Sequence, residues 1–450
     1  MINRRLDKII ENHYANNKSA LLLTGARQVG KTIAIRRYAQ RATLNLLEIN
    51  FHEDQEAYRI FEGAKNAEEV LFRMSAYYNK TLQKGKTLIF FDEVQQYADV
   101  VTWIKFLVDE GSFRYALSGS LLGVKLKDLR SVPVGYMAVE DVYPLDLREF
   151  AEALGVSAEV LSSLEKVWTE HKPVDEVVHE SMLRIVTLYL LIGGMPAAVQ
   201  TYLDTNDMHA VREKQDEILK LYHWDIAQYD PNNKLYIDDI FSLIPSELNA
   251  KNKRFILKNL NEHRQFDRME NSFIWLRDAG VALPTYNVSE PVAPLKLNEN
   301  HSLFKLFQND VGLLAAQYAD GIALQMLSGE VNINYGAIYE NLVAQELIAH
   351  GWTLRYFNSK KQGELDFVLE QDDEIIPLEV KSGKDYQRHA ALSNVMKSKD
   401  YNIGRAVVLS NKNMSEKDNI LYAPIYMTMF LKKHVLDKPL IYKMDMTGLK

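Results

Sequence analysis

A glycine-rich loop near the amino terminus sets the strongest limit on how this chain folds. It runs from Gly25 to Thr32 as Gly-Ala-Arg-Gln-Val-Gly-Lys-Thr, after an apolar strand from Ala20 to Thr24 and before a helix predicted from Ile33 to Gln40. The two glycines let the backbone turn its N–H groups inward, and the start of the helix adds positive potential, so a loop of this kind wraps phosphates. The pattern predicts a nucleoside triphosphate site on a parallel sheet.

The last two residues of this loop carry specific roles. Lys31 is predicted to contact the β- and γ-phosphates, and Thr32 to hold Mg²⁺. The remaining residues of the predicted nucleotide cradle are Gly25, Gln28, Val29 and Gly30. The alternative is an ordinary glycine turn before a helix that begins with Lys-Thr.

Two further strand ends complete the predicted site. The apolar run Thr87 to Phe91 is typical of a central parallel strand and is followed by Asp92, the predicted acid on the Mg²⁺ side, and Glu93, the predicted base that activates water. Two ordinary surface acids are the alternative. The next strand, Phe113 to Leu117, leads into Ser118-Gly119-Ser120, whose hydroxyls are candidate sensors of the γ-phosphate, although this tripeptide is also a common turn.

Length and composition restrict the class of protein. A chain of 450 residues is too long for one core, which predicts at least three domains. The absence of cysteine excludes disulfides and cysteine-ligated zinc. The polar N-terminal stretch and the interrupted apolar run Ile185 to Val199 predict a cytoplasmic protein without a membrane span. With a net charge of −7, a nucleic-acid partner needs a local basic patch.

The middle of the chain is predicted to be mostly helical. Apolar residues recur at helical spacing from Ala151 to about Gln228, which predicts a lid over residues 151–231. A helix, helix, strand pattern over residues 232–330 predicts a winged-helix-like segment. Its basic residues are candidates for DNA contact and equally for a solvated face: Lys251, Lys253, Arg254, Lys258, Arg264 and Arg268.

The third informative region is a set of carboxylates in residues 331–450. An amphipathic helix from Gly336 to Leu347 is predicted to place Glu340 at one edge. Two strands then form a hairpin around Gln371 to Glu374, and pairing Glu370 with Ile375 brings Asp366 opposite Glu379, with Cβ atoms about 5 Å apart.

Period-two alternation in the second strand places Lys381 on the same face as Glu379. Lys381 offsets only part of the repulsion between Asp366 and Glu379. We therefore predict a divalent ion between the two carboxylates, and Mg²⁺ fits oxygen ligands of this kind best. An ion pair at a strand edge is the alternative explanation of the same residues.

The chain resembles a prokaryotic branch of the AAA+ ATPases that carries a C-terminal domain of unknown function. The likeness covers nearly the whole chain. It rests on the phosphate loop, Phe90-Phe91-Asp92-Glu93, Ser118-Gly119-Ser120, Pro133-Val134-Gly135, Tyr143-Pro144-Leu145-Asp146, Gly193-Gly194-Met195-Pro196, Trp275 to Gly280, Phe304 to Phe307 and Asp310 to Leu314.

This resemblance implies an α/β fold with an AAA+ type parallel sheet over residues 1–150, a helical lid, a winged-helix-like segment, and ATP and Mg²⁺ as cofactors. Many relatives have a basic residue after Pro-Val-Gly, where this chain has Tyr136. Relatives of this kind often form oligomers in which a neighbouring subunit supplies an arginine to the nucleotide site. In this chain Arg130 or Arg148 is the candidate for that arginine, or the chain acts alone.

The C-terminal carboxylates resemble the core of PD-(D/E)XK nucleases, whose domain has a restriction-endonuclease-like α/β fold. The resemblance implies that Asp366, Glu379 and the Val380 carbonyl hold the metal, that Lys381 orients or deprotonates the attacking water, and that Glu340 completes the shell. Lys360 and Lys361 become candidates for holding the nucleic-acid backbone. A nuclease relic used only for binding is the alternative.

Three functions stay open on this basis. The favoured one is an ATPase that positions or licenses a DNA-cleaving domain. A nucleotide switch whose C-terminal domain binds a protein or nucleic acid is the second, and a remodeller that grips polypeptide is the third. A homo-oligomer is compatible with each of them.

Overall fold

The computed structural model describes residues 2–120, 135–229, 234–250, 273–318, 325, 336–383, 385–434 and 444. Several predictions concern positions outside these ranges. They are the candidate arginine Arg130, residues Pro133 and Val134, and the basic residues between 251 and 272.

Five parallel strands form the N-terminal sheet, in the order β2-β3-β4-β1-β5. The strands are β1 (Ala20–Thr24), β2 (Asn45–Asn50), β3 (Thr87–Asp92), β4 (Arg114–Ser118) and β5 (Met137–Asp141). The helices packed around them are α1 (Arg5–Asn16), α2 (Lys31–Arg41), α3 (Ala67–Tyr77) and α4 (Val100–Glu110). Every residue of β3 is buried, as expected of a strand covered on both faces. The predicted parallel sheet is confirmed, and its strand ends gather the predicted nucleotide residues.

Within the described residues, helices follow the sheet without an intervening strand until residue 250. They are α5 (Leu147–Ala153), α6 (Ala158–Glu170), α7 (Glu176–Ile192), α8 (Pro196–Thr205), α9 (Met208–Tyr229) and α10 (Lys234–Asn249). Gly193 ends α7 with φ 74°, in the left-handed region that glycine adopts without strain. No single helix of the described residues is long and apolar enough to cross a membrane, and α7 with α8 satisfies that test only as a pair bent by 119°.

A second sheet joins residues on both sides of the predicted boundary at residue 331. Its order is β7-β6-β8-β9, with β6 antiparallel to β7 and parallel to β8. The elements in this stretch are β6 (Ala282–Val288), β7 (Glu299–Gln308), α11 (Val311–Ala316), α12 (Gly336–Ala349), β8 (Arg355–Ser359) and β9 (Gly363–Leu365). Residues 273–278 are helical as well. The strands of the predicted winged-helix-like segment therefore extend a sheet of the C-terminal region.

A third sheet, in the order β10-β11-β12-β14-β13, is mixed. It contains β10 (Phe367–Gln371), β11 (Glu374–Val380), β12 (Ala406–Ser410), β13 (Ser415–Lys417) and β14 (Ile420–Pro424), and α13 (Ala390–Lys397) precedes β12. The predicted pairing of Glu370 with Ile375 is confirmed. The turn is shorter than predicted, because Asp372 and Asp373 both adopt positive φ and close a two-residue hairpin.

The helix α12 differs from its predicted amphipathic form. All of its residues except Gly336 and Ile348 are buried, and Glu340 is only 2% exposed, so this glutamate does not lie at a solvent edge. The helix packs between α7 and α11 on one side and β7 and β11 on the other. A helix covered on all sides needs no polar face, and its polar residues are paired inside the protein.

One apolar core continues from the nucleotide-binding sheet through the helices to the third sheet. Hydrogen bonds between the helical segment and the C-terminal region reinforce this packing. The Asn413 side chain bonds both backbone groups of Val174, at 2.8 and 2.7 Å, and the buried His179 lies 2.8 Å from the Tyr426 hydroxyl. The helical segment is thus bound on one side to the parallel sheet and on the other to the C-terminal sheet.

Candidate nucleotide site and carboxylate cluster

The phosphate loop has the backbone that its glycines predict. Gly25 has φ 123°, and a Cβ atom built on it would lie 2.3 Å from the Val142 carbonyl oxygen, so only glycine fits there. Gly30 has φ 98° and immediately precedes α2, and Gln28 adopts φ 64°. Three residues of the loop therefore have positive φ. Gly25 and Gly30 adopt it without strain, whereas Gln28 is strained.

Lys31 lies in the floor of the loop. Its Nζ donates to the carbonyl oxygens of Gly25 at 2.9 Å and Ala26 at 2.7 Å, and the residue is 7% exposed. Burial lowers the pKa of Lys31 to about 8, although Glu93 and Asp92 act in the opposite direction. A buried ammonium group that donates to backbone carbonyls gains from a phosphate nearby, so the loop fits the triphosphate that its sequence predicts.

The Asp92 carboxylate accepts hydrogen bonds from Thr32, which is predicted to hold Mg²⁺, and from Ser118, a predicted sensor of the γ-phosphate. The Thr32 Oγ1 donates to Asp92 at 3.0 Å, and the Ser118 Oγ donates to the same carboxylate. Burial raises the pKa of Asp92, and the two hydroxyls partly oppose that shift. The side chains of Thr32 and Asp92 form an oxygen ligand set that suits Mg²⁺.

Glu93 follows Asp92 in a strained conformation. Its φ of 55° and ψ of 44° place a non-glycine residue in the left-handed region. The Gln95 amide donates to Glu93 and, at 3.3 Å, to the Ser120 hydroxyl. Gln95 was not predicted from the sequence, since a glutamine a few residues beyond a strand carries no distinctive signal.

A cavity of about 820 Å³ adjoins the loop. Lys31, Thr32 and Glu93 line one end of it. Its other walls are formed by residues from α1, α8 and α9 and from the turns beside them: Ile2, Arg4, Leu145, Pro196, Ala197, Gln200, Lys214, Glu217 and Leu221. Pro196, the first residue of α8, lies in the wall of this cavity.

Arg27 and Asp225 join the phosphate loop to the helix α9. The Arg27 Nε lies 2.9 Å from Asp225 Oδ2. Burial raises the pKa of Asp225 to about 6, with Arg27 acting against the shift and Glu93 adding to it. Neither residue was singled out from the sequence, because the two are almost two hundred positions apart.

The raised pKa of Asp225 predicts a pH effect on stability. Because its folded pKa exceeds the unfolded value near 4, the stability that it contributes below pH 4 is lost as pH rises through about 6. We expect Asp225→Asn to reduce the difference in unfolding free energy between pH 4.5 and 7.5 by about 2 kcal/mol. Urea unfolding at several pH values measures this difference.

The matched control is Asp216→Asn, which alters a half-buried Arg–Asp pair on the same helix, with Arg212 Nε 3.1 Å from Asp216. This variant should keep the pH profile of the parent protein. An Asp225→Asn profile that superimposes on the parent profile would show that this carboxyl does not titrate in that range.

The candidate intersubunit arginine Arg148 is engaged within its own chain. Its guanidinium lies 3.2 Å from Glu152 and 3.4 Å from Glu165. Tyr136 packs beneath Lys105, whose Nζ is 5.7 Å from the ring centroid. A role for Arg148 in a neighbouring subunit would require it to leave these two carboxylates.

The C-terminal carboxylates meet where the β10–β11 ladder ends. Phe367 pairs with Leu378, and one step beyond, the Asp366 carboxylate accepts a 2.8 Å hydrogen bond from the Val380 N–H. The Lys381 Nζ donates to Glu379 at 2.6 Å. Burial, and then the charge of Asp366, raise the pKa of Glu379 to about 7. The structure therefore brings Asp366, Glu379 and Lys381 together, and Lys360 and Lys361 lie exposed in a turn before β9.

Glu340 has a neighbour that sequence reasoning missed. The Lys305 Nζ, from β7, lies 3.8 Å from Glu340 and 2.7 Å from Glu364. Lys305 is fully buried. Within the described part of the chain, no group of three or more His, Asp or Glu side chains has the spacing of a metal site. The pair Asp366 and Glu379 is the part of the predicted set that fits a metal, while Glu340 is associated with Lys305.

The comparisons with known families divide the chain into three parts. Residues 17–151 match the family described as an AAA domain (AAA_14). This chain carries an AAA-type P-loop ATPase domain. Residues 184–323 and 335–427 match two domains of unknown function, DUF8612 and DUF4143.

The solved structures that match this chain are distant in sequence. The Walker-type ATPase PABY2304 of Pyrococcus abyssi is 12% identical over 70% of this chain and 96% of its own, with a TM-score of 0.42. A single-substitution variant of RuvB from Thermotoga maritima is 12% identical over 62% and 89%, with a TM-score of 0.29. Cdc6p of Pyrobaculum aerophilum is 12% identical over 73% and 93%, with a TM-score of 0.24. Comparison with the curated proteins finds no match.

Proposed function

We propose that the ATPase domain drives or licenses a Mg²⁺-dependent nuclease centre, acting on DNA, in the C-terminal region. The observation that carries the second half of this proposal is the meeting of Asp366, Glu379 and Lys381 at the end of one hairpin. The two carboxylates are buried side by side, and the Lys381 ammonium group contacts one of them. Burial, and then the charge of Asp366, raise the pKa of Glu379, and a divalent ion would relieve the repulsion between the two carboxylates.

In the ATPase site, each residue has a role that its position supports. The Lys31 ammonium group would contact the β- and γ-phosphates in place of its loop carbonyls, and Thr32 and Asp92 would hold Mg²⁺. Glu93 accepts the proton of the attacking water, and Gln95 orients its carboxylate. Ser118 and Ser120 sense the γ-phosphate through their contacts with Asp92 and Gln95. Bound Mg²⁺ supplies the positive charge that offsets the phosphates.

In the nuclease centre, Asp366, Glu379 and the Val380 carbonyl would hold Mg²⁺, which lowers the pKa of bound water and neutralises charge on the scissile phosphate. Lys381 orients the water, because its Nζ contacts Glu379 and its side chain is partly exposed. Lys360 and Lys361 are placed to contact the nucleic-acid backbone. Glu340 acts at longer range, since the Lys305 ammonium group lies 3.8 Å from its carboxylate.

The second candidate is a nucleotide switch whose C-terminal region only binds a protein or nucleic acid. The contact between Lys305 and Glu340 favours this candidate, because it takes one predicted ligand out of the set. Both candidates include assembly into a homo-oligomer. Both also include domain boundaries after residues 150, 231 and 330.

Cleavage of DNA separates the two candidates. We expect the parent protein to cut single- or double-stranded DNA only with Mg²⁺, and Asp366→Asn to cut at least about 100-fold more slowly, because the variant loses one charged ligand. Its ATP hydrolysis should be unchanged, since the hairpin is remote from the phosphate loop. Product analysis on labelled DNA, with and without ATP, measures both effects.

The matched control is Asp373→Asn, which removes an exposed charge from the turn of the same hairpin, at a position whose positive φ asparagine tolerates. It should cut like the parent. Equal cutting by Asp366→Asn and the parent, or no Mg²⁺-dependent cutting by the parent, would favour the switch.

A further inference from the structure

The side chain of Lys305 is enclosed completely within the carboxylate cluster. Its Nζ is 2.7 Å from Glu364 Oε1, 3.8 Å from Glu340 Oε2 and 5.0 Å from the centroid of the Tyr356 ring. None of its surface is accessible to solvent. A lysine at this depth persists as a cation only where several groups compensate its lost hydration.

The groups around Lys305 favour its protonated, positively charged form. Burial acts to lower the pKa of Lys305, but Glu340, Glu364 and Asp366 together act more strongly in the other direction, so the pKa lies above its usual value. The ring face of Tyr356 adds a favourable cation–π contact. The ammonium group therefore behaves as a permanent positive charge inside the protein.

The strand β7 holds Lys305 at this depth. Lys305 pairs with Thr285 of β6, and three residues further on the Asn341 side chain bonds both backbone groups of Gln308, at 2.7 and 3.0 Å. Asn341 is the neighbour of Glu340 on α12, so the same helix that carries the carboxylate also fixes the strand that carries the lysine. Lys305 cannot withdraw without breaking these contacts.

The charges of the cluster leave room for one divalent ion. Among the described residues, four carboxylates face two ammonium groups: Glu340, Glu364, Asp366 and Glu379 against Lys305 and Lys381. Two negative charges remain when all of them are ionised. Each pair of carboxylates keeps one of these charges. At the Glu340 and Glu364 end the Lys305 ammonium group already lies close to both carboxylates, whereas Lys381 at the Asp366 and Glu379 end is partly exposed.

We propose that Lys305 takes the place of a second divalent cation, so that the centre holds a single metal ion, at Asp366 and Glu379. This inference rests on the proposed nuclease centre and specifies its metal content. It makes Lys305 a positioning residue that holds Glu340 and Glu364 together, where a two-metal site would use a second ion. Removing the ammonium group should convert the Glu340 and Glu364 end into a second cation site.

The test counts bound Mn²⁺, which substitutes for Mg²⁺ at oxygen ligands. The full chain carrying Lys31→Ala is used without nucleotide, so that the phosphate loop contributes no metal. Isothermal titration, or the loss of the free Mn²⁺ electron spin resonance signal, should give one ion per chain in this background. Addition of Lys305→Met, which keeps the unbranched stem, should raise the number to two.

Thermal unfolding provides a second readout. Without metal, the Lys305→Met variant should melt roughly 5–10 °C below its background because the buried Glu340 and the half-buried Glu364 lose their cation, and Mn²⁺ should restore most of the loss. Lys305→Arg serves as the control, since it keeps the charge and should still bind one ion. If Lys305→Met does not fold, Lys305→Gln replaces it. The number of Mn²⁺ ions bound per chain is then compared between that variant and the Lys31→Ala background.

The outcomes separate the two proposals. Two ions in the Lys31→Ala background, or one ion both with and without Lys305→Met, overturn the inference and leave the nuclease centre intact. No ion in the background contradicts the nuclease centre itself, and with it the single-ion content. One ion that becomes two supports both.

Discussion

Glu93→Gln is expected to bind ATP with the affinity of the parent protein and to hydrolyse it about 10²–10⁴-fold more slowly. An amide is nearly the size of the carboxylate and keeps an acceptor for Gln95, but it cannot take the proton of the attacking water. The strained backbone at Glu93, with φ 55°, is unaffected by this change, so the geometry of the site is preserved. Equilibrium binding of a fluorescent ATP analogue and steady-state phosphate release measure the two quantities separately.

The matched control is Glu53→Gln, an exposed glutamate in the turn after β2, at the same edge of the parallel sheet. It should hydrolyse ATP at the parent rate. Undiminished hydrolysis by Glu93→Gln would mean that another group activates the water. Lost binding in that variant would instead assign Glu93 a role in holding the nucleotide.

Asp310→Ala is expected to lower the free energy of unfolding by about 3 kcal/mol at pH 7. The buried carboxylate accepts hydrogen bonds from Gly194 at 2.6 Å and Leu313 at 2.9 Å, and so joins the start of α8 to the start of α11. Alanine leaves these buried N–H groups without an acceptor. Burial raises the pKa of Asp310 to about 6. Burial of the charge therefore offsets part of the stability that these hydrogen bonds contribute, and this limits the expected loss.

Urea unfolding measures this loss, and Asp175→Ala is its control. Asp175 caps α7 through the N–H groups of Val177 and Val178 but is exposed, so its loss should cost about 1 kcal/mol. Asp310→Ala should also weaken ATP binding, because Gly194 lies just before Pro196 in the cavity wall. Equal losses in the two variants would show that burial adds nothing to the Asp310 cap.

The nucleotide site was largely predictable because its parts are local. Gly25 and Gly30 are needed by the backbone of one loop, and Asp92 and Glu93 follow a strand whose apolar run is unambiguous. Parallel strands bring their carboxyl ends to one edge of the sheet, so the position of each strand end in the sequence is enough to place its acid. The hairpin register followed from the same kind of reasoning, because Glu370 and Ile375 are only five residues apart.

The residues that were missed belong to contacts between distant segments. Lys305 reaches Glu364 from a strand that precedes it by almost sixty residues, and Asp225 reaches Arg27 across nearly two hundred. Neither has an unusual sequence context, and a lone lysine in a strand is ordinarily exposed. Such pairs are decided by the packing of whole elements, which no local pattern specifies.

The helix α12 was misjudged for a related reason. Asn341, Gln345 and Glu346 look like a solvent face in the sequence, but each is buried with a partner. Asn341 bonds Gln308, Gln345 accepts from the Val311 N–H at 2.8 Å, and Glu346 accepts from the Leu147 N–H at 2.8 Å. Polar residues in a helix indicate a solvent-exposed face only when the rest of the protein offers them no hydrogen-bond partners.

The enclosure of α12 also bears on how such a chain can be recombined. Exchange of C-terminal regions between related proteins, or their transfer to an unrelated carrier, works where a junction crosses few contacts. A cut at residue 331 would separate β6 from β8 and remove α12 from the helices on which it packs, leaving apolar surface on both fragments. A chimera therefore has to carry β6 and β7 together with the carboxylate cluster, and it would still need a replacement for the contacts of α7.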